Sequence, residues 1–194
     1  MHPIAILGRL AADRGDAEHL ISSVFLASYG ASLAGFPETI AAKAGPDGRF
    51  VCAAGLRFAG DGFFSECYLD GAVEEIIGAQ TGQFVARERI FEVSSLASRD
   101  PGLTPRFIGD IVRYGQQNGF DWCFFTLTRR LARMLTRMGL APLMLAPADR
   151  QRVAGFQRWG SYYDHEPAVF ALANPGAVRP VILPRPEAGH ALSL

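Results

Sequence analysis

The chain has 194 residues, of which 49% are hydrophobic and 20% charged, so it can remove roughly 70% of its unfolded surface from water and needs no staple to hold a core. Its formal net charge of zero lacks the basic footprint of a nucleic-acid binder, and nucleic acid is set aside as a partner. The three cysteines, Cys52, Cys67 and Cys123, sit in apolar segments read as strands, with no CxxC pair and no nearby histidine cluster. Free thiols in a reducing, cytoplasmic compartment and no metal site are the expectation. The N-terminal apolar run is too short for a signal segment, and no stretch reaches the ~20 apolar residues of a membrane span.

In chain order, Leu20, Ile21, Val24, Phe25 and Ser28 form one stripe of a helix over 16–30, with Asp16 as its N-cap. Strands are predicted at 37–43, 50–58 and 63–70, separated by Gly45-Pro46-Asp47-Gly48 and Gly60-Asp61-Gly62, which makes an antiparallel meander. A short helix follows over 71–80, and a strand over 87–96 ends in Phe91-Glu92-Val93-Ser94-Ser95-Leu96. The pattern then alternates. Thr104 and Pro105 open a helix that Gly119 ends, and Trp122–Leu127 reads as a buried strand. Thr128 caps a helix closed by Gly139, and strands are expected at Leu143–Ala146 and Ala168–Leu172. Residues 1–173 thus form one α/β domain on a mixed sheet, because hairpins require antiparallel pairing and helical crossovers parallel pairing. Residues 174–194 carry four prolines and little apolar periodicity, which predicts an extended tail. The switch from meander to alternation falls at 92–102, where such sheets take ligands.

Glu92 stands among apolar neighbours in a central strand. Burial there raises a carboxyl's pKa and suits it to act as a general base, unless an arginine such as Arg57 or backbone amides satisfy it. On a regular strand Ile90, Glu92, Ser94 and Leu96 share one side. Glu66 shares a face with Phe64 and Tyr68, with Asp70 at the strand end, so Glu66 and Glu92 either face one cleft and bind or deprotonate an amine, or lie apart as solvated or paired residues. Arg57 either clamps a substrate carboxylate or phosphate, or pairs with one of these acids. Arg129, Arg130, Arg133 and Arg137 lie off the apolar stripe of their helix and either hold a cofactor's phosphates or an acidic carrier protein, or form a solvated face. The aromatic run Trp159-Gly160-Ser161-Tyr162-Tyr163 is either a pocket rim with a tyrosine general acid or a packed corner. His165 has no companion at metal-ligand spacing.

The blocks AAGLRFA, FFSECYLD, FEVSSLAS, FDWCFFTLTRRLARMLTRMGL and WGSYYDHEP, in this order over roughly residues 18 to 173, resemble the thermostable haemolysin family. Glu66, Leu69, Asp70, Glu92 and Leu96 match that family's blocks, while Cys67, Ser94 and Ser95 depart from them. The same order is similar to acyl-homoserine-lactone synthases, where an arginine resembles Arg57 and a Glu-x-Ser-Arg motif resembles Glu92-Val93-Ser94-Ser95, with Ser95 in the place of its arginine. The resemblance implies a GNAT-like N-acyltransferase fold, and transfer of an acyl group from acyl-CoA or an acyl-carrier protein's phosphopantetheine to a small-molecule amine. In place of the acetyl-CoA loop of GNAT enzymes stands Asp100-Pro101-Gly102-Leu103-Thr104, whose amides near Gly102 and Thr104 are the candidate contacts to pyrophosphate or pantetheine. Backbone amides near Ser94 are the candidate oxyanion donors. A membrane-active haemolysin and a GNAT-shaped binding module without catalysis are the alternatives, the second predicting carboxylates locked in salt bridges and no open acyl channel.

Overall fold

A computed structural model describes residues 4–174. Among them the order is β1 (Ala5–Leu7), α1 (Arg14–Tyr29), β2 (Thr39–Ala44), β3 (Phe50–Phe58), α2 (Val73–Thr81), β4 (Ile90–Ser98), α3 (Thr104–Gln117), β5 (Trp122–Leu127), α4 (Arg129–Arg137), β6 (Leu143–Pro147) and β7 (Ala168–Ala173). The strands make one mixed sheet in the order β1-β2-β3-β4-β5-β7-β6. Only the β4–β5 pair is parallel, joined through α3, and the remaining neighbours are antiparallel. No helix of the described residues is long and apolar enough to cross a membrane. The tail expected over 174–194 lies outside the described residues apart from Asn174.

Strand alternation divides the core. Cys52, Ala54 and Leu56 of β3, Phe91 and Val93 of β4, and Cys123, Phe125 and Leu127 of β5 pack with Phe107, Ile108 and Ile111 of α3 and Leu135 of α4. The opposite face carries two clusters. One joins Leu20, Ile21 and Phe25 of α1 to Ile40, Ala42 and Ala53, and the other joins Val73 and Ile77 of α2 to Ile90, Trp122 and Phe124. One helix pair therefore covers each face, and burying each of these larger side chains contributes about 1.5–3 kcal/mol. Arg14 staples α1 to the segment leading into β2: it is buried and donates to the carbonyls of Pro37 at 2.6 Å and Glu38 at 2.7 Å.

Several local expectations are corrected. The segment 63–70 is no strand; Ser65–Tyr68 forms a 3-10 turn. Its inward residues, Phe63, Ser65, Tyr68 and Leu69, do not alternate, and the N–H groups of Phe64 and Ser65 donate to the Glu92 carboxylate instead of a ladder. Cys67 accordingly lies half-buried on a turn, whereas Cys52 and Cys123 are buried strand residues. Thr104 is the first residue of α3, not its N-cap, with Pro105 in the first turn. α1 begins at Arg14, which places Asp16 within its first turn. The short edge strand β1 was not expected.

Candidate active site

The β4–β5 ladder runs from Ile90–Trp122 to Val93–Phe125 and stops. β4 continues beside β3 as far as Ser98, and β5 beside β7 as far as Leu127, so the two central strands part. A bulge in β4 accompanies the parting: Gly55 faces Ser94 and Ala53 faces Ala97, which leaves both Ser95 and Leu96 opposite Ala54. Ser95 takes the left-handed conformation, φ 51°. The extra residue reverses the side-chain parity. Ile90 packs with the α2 cluster before it, whereas Ala97 packs with the α1 cluster and Leu96 with the α3–α4 cluster after it. Leu96 is thus not on the side of Ile90 and Glu92 that regular alternation predicts. Close packing requires glycine beside the bulge, because a Cβ on Gly55 would lie 2.6 Å from Pro37 Cγ and 2.7 Å from Ser94 Oγ.

A cavity of about 100 Å³ fills the gap and reaches both faces of the sheet. Ile108, Ile111, Leu131 and Leu135 line it from α3 and α4, and Phe25, Tyr29, Phe64, Tyr68, Trp159 and Tyr162 from the other side. The aromatic half is tightly built: Tyr29 meets Tyr162 edge-on at 5.2 Å between centroids, and Phe64 stacks on Trp159 at 5.9 Å. Ser65, Ser94, Ser95, Thr126 and Thr128 supply the polar wall. Among the described residues the edge of β4 that would pair with β5 has no strand partner past Val93, which leaves backbone polar groups available to a bound carbonyl.

Glu92 lies directly behind this wall, fully buried, on the face that carries α1 and α2. Its Oε2 accepts from the N–H of Phe64 at 2.6 Å, and its Oε1 accepts from the N–H and Oγ of Ser65 at 2.9 and 2.6 Å. Ser65 Oγ is 2.8 Å from Thr126 Oγ1, which reaches the cavity. Arg57 is the cross-strand partner of Glu92, and its Nε is buried with no hydrogen-bond partner among the described residues. Burial pushes the Glu92 carboxyl above the usual carboxylate range; the Ser65 and Phe64 hydrogen bonds and the Arg57 charge draw it back only in part.

The structure separates the other expected site residues. Glu66 points away from the cavity: Arg87 grips it bidentately at 2.6 and 2.8 Å, and it accepts from the N–H of Val73 at the start of α2 at 3.0 Å. The Arg87 hydrogen bonds hold its pKa below the ordinary value. Asp70 is exposed and pairs with Arg152 at 2.9 Å. The Gly102 N–H is occupied by Asp100 Oδ1 at 2.8 Å, and the buried Thr104 turns its hydroxyl to the Asp100 carbonyl at 3.3 Å. Ser94, Ser95, Trp159 and Tyr162 do converge on the cavity, where Tyr162 donates to the Thr126 carbonyl at 3.4 Å and burial pushes its phenol upward. Arg129 pairs with Glu166 at 2.7 Å, and both line, with Arg130, Arg133, Arg137, Asp164 and His165, a second hollow of about 600 Å³. That hollow adjoins the first through Tyr29, whose ring meets His165 at 5.3 Å and whose hydroxyl feels the Arg130 charge. Sequence reasoning missed Ser65 and Thr126. A lone hydroxyl in the apolar run Trp122–Leu127 was a usable signal for Thr126, whereas Ser65 offered none.

A seven-stranded mixed sheet whose central parallel pair parts beside a bulge is the GNAT-like fold. A GCN5-related N-acetyltransferase from Kribbella flavida superposes with a TM-score of 0.50 at 11% identity, over 88% of this chain and 97% of that one. The AHL synthase LasI gives 0.60 at 13% identity over 88% and 89% of the two chains, and FeeM, an N-acyl amino acid synthase from uncultured soil microbes, gives 0.58 at 13% over 90% and 96%. The chain belongs to the thermostable haemolysin family: the family described as "Thermostable hemolysin" matches residues 8–177. No curated protein matches it in sequence.

Proposed function

We propose that the protein transfers an acyl group from a thioester donor to the amine of a small molecule. The observation that carries this reading is the gap between β4 and β5, which opens both faces of the sheet onto an unpaired strand edge with a buried carboxylate behind it. A thioester carbonyl laid against that edge near Ser94 and Ser95 finds backbone donors for the oxyanion of the tetrahedral intermediate. The apolar side chains of α3 and α4 suit the acyl chain, and the aromatic half suits the acceptor. The amine nitrogen bonds to the acyl carbon, the C–S bond breaks, and the amine's proton passes to Glu92 while the Tyr162 hydroxyl protonates the leaving thiolate and is reprotonated by solvent. The acyl donor is acyl-CoA or an acyl-carrier protein. Arg129 and Arg130 would hold its phosphate, because the Gly102 amide at the start of α3 is already taken by Asp100. The likeness to the AHL synthase LasI, the N-acyl amino acid synthase FeeM and an N-acetyltransferase supports the same class of chemistry.

The Glu66–Arg87 pair is the arrangement a non-catalytic module would show, but Glu92 is tied to hydroxyls that lead to the cavity and not to a salt-bridge partner. The reading is tested by incubating purified protein with panels of acyl-CoA and acyl-carrier protein plus pooled amines, following thiol release and new amides by mass spectrometry. An acylated amine formed by wild type and reduced about 100-fold or more in Glu92→Gln is expected. Equal product with both proteins, or none with any donor, would overturn it.

A further inference from the structure

From the chain of hydroxyls joining the cavity to Glu92 we infer that Thr126 and Ser65 form the path by which the acceptor amine loses its proton; the inference rests on the acyl-transfer reading above. The directions of the hydrogen bonds follow from what each group can do. An ionised carboxylate only accepts, so Ser65 Oγ donates to Glu92 Oε1 across 2.6 Å. With its one proton spent there, Ser65 Oγ accepts from Thr126 Oγ1 across 2.8 Å. Thr126 then has no proton left to give and turns an oxygen lone pair toward the cavity, where it accepts from an amine N–H or N–H⁺. The chain is polarised from the ligand to the base before any ligand arrives; Ser65 and Thr126 both line the cavity, and Glu92 itself is not among its lining residues.

Three hops balance the step. The attacking nitrogen gives a proton to Thr126 Oγ1, Thr126 passes its own to Ser65 Oγ, and Ser65 passes its own to Glu92 Oε1, as the N–C bond forms. The neutral acid then donates back along the same line, and the path is reset when the proton leaves through the cavity. Sheet geometry keeps the line fixed. Thr126 is locked in β5 by pairing with Val169 of β7, and Ser65 is held by its own N–H on the carboxylate it serves. The ionisable groups acting on Glu92 from the surrounding elements are Arg57 of β3 and the Cys67 thiol of the turn.

The experiment compares Thr126→Val, Thr126→Ser, Ser65→Ala and the Ser65→Ala/Thr126→Val double variant with wild type under saturating donor and amine. The shape-conserving Thr126→Val is expected to lower kcat about 100-fold with KM little changed, and Thr126→Ser to restore most of it. The double variant should be no slower than the slower single variant, because the two hydroxyls act as one path. A bowed dependence of the wild-type rate on deuterium fraction, straightened in Thr126→Val, would report the several protons in flight. Wild-type kcat and a wild-type isotope response in Thr126→Val would overturn the relay and leave acyl transfer standing. Wild type that releases no thiol with any donor overturns both.

Discussion

At the scale of single residues, the two glutamates show how environment assigns roles to one side chain. Glu66 is ionised and gripped by Arg87, with a pKa below its ordinary value. Its stabilisation is present above the unfolded-state pKa and is lost as pH falls through the lower folded value. Glu66→Gln should therefore cost about 1–3 kcal/mol near neutrality and almost nothing in strong acid, a difference that urea unfolding across pH would read. Glu92 has the opposite sign. Burial raises its pKa, so the folded state binds a proton that the unfolded state has lost, and stability declines as pH rises from the ordinary carboxylate range to the raised value. Glu92→Gln should remove that decline. Activity runs the other way, since a base works ionised: kcat should fall as pH drops through the Glu92 pKa. Both acids stand out in the sequence, but their facing does not. It depends on Arg87, 21 residues from Glu66, and on Ser65, 27 residues from Glu92.

At the scale of elements, the bulge in β4 controls the site. It sets Ser94 and Ser95 on the cavity wall and frees the edge that would receive the carbonyl. A left-handed φ costs an L-residue roughly 1–2 kcal/mol, and most for a β-branched one. Ser95→Val should consequently destabilise the fold by about that amount beyond the serine's own strain, while Ser95→Gly should be tolerated. Gly55→Ala should cost about 1–3 kcal/mol by overpacking against Pro37 and should displace Ser94, which lowers turnover as well as the unfolding midpoint. Much of the element order was readable. Phe50–Phe58 and Trp122–Leu127 were anticipated with their observed ends because turn residues or glycine mark where each run starts. The bulge was not readable, because period-2 reasoning assumes an unbroken ladder. The strand expected over 63–70 failed for a related reason: its apolar residues and amides answer to a buried carboxylate from another strand, a contact no local pattern encodes.

At the scale of the whole molecule, a sheet clothed by α1 and α2 on one side and by α3 and α4 on the other is open where its two central strands part, and that seam joins two chemically different halves. The α3–α4 half is aliphatic, the α1 half aromatic, and the arginines of α4 stand beside the aromatic half at Tyr29. If Arg129 and Arg130 hold the donor's phosphate, replacing both with glutamate should raise the donor KM about 10-fold or more with a smaller effect on kcat, and added salt should weaken donor binding in wild type more than in the variant. The mixed sheet was legible from the switch between meander and alternation, and the switch expected at 92–102 falls where β4 and β5 part. The second hollow was not, because it joins α4 to the turn at Tyr162–His165, far along the chain. The most direct test of the whole account is mass spectrometry of purified wild type and Glu92→Gln incubated with acyl donors and amines. A new acyl amide with stoichiometric free thiol is expected from wild type, with about 100-fold or more less from Glu92→Gln and both proteins equally folded by thermal melting. Identical mixtures from the two would contradict it.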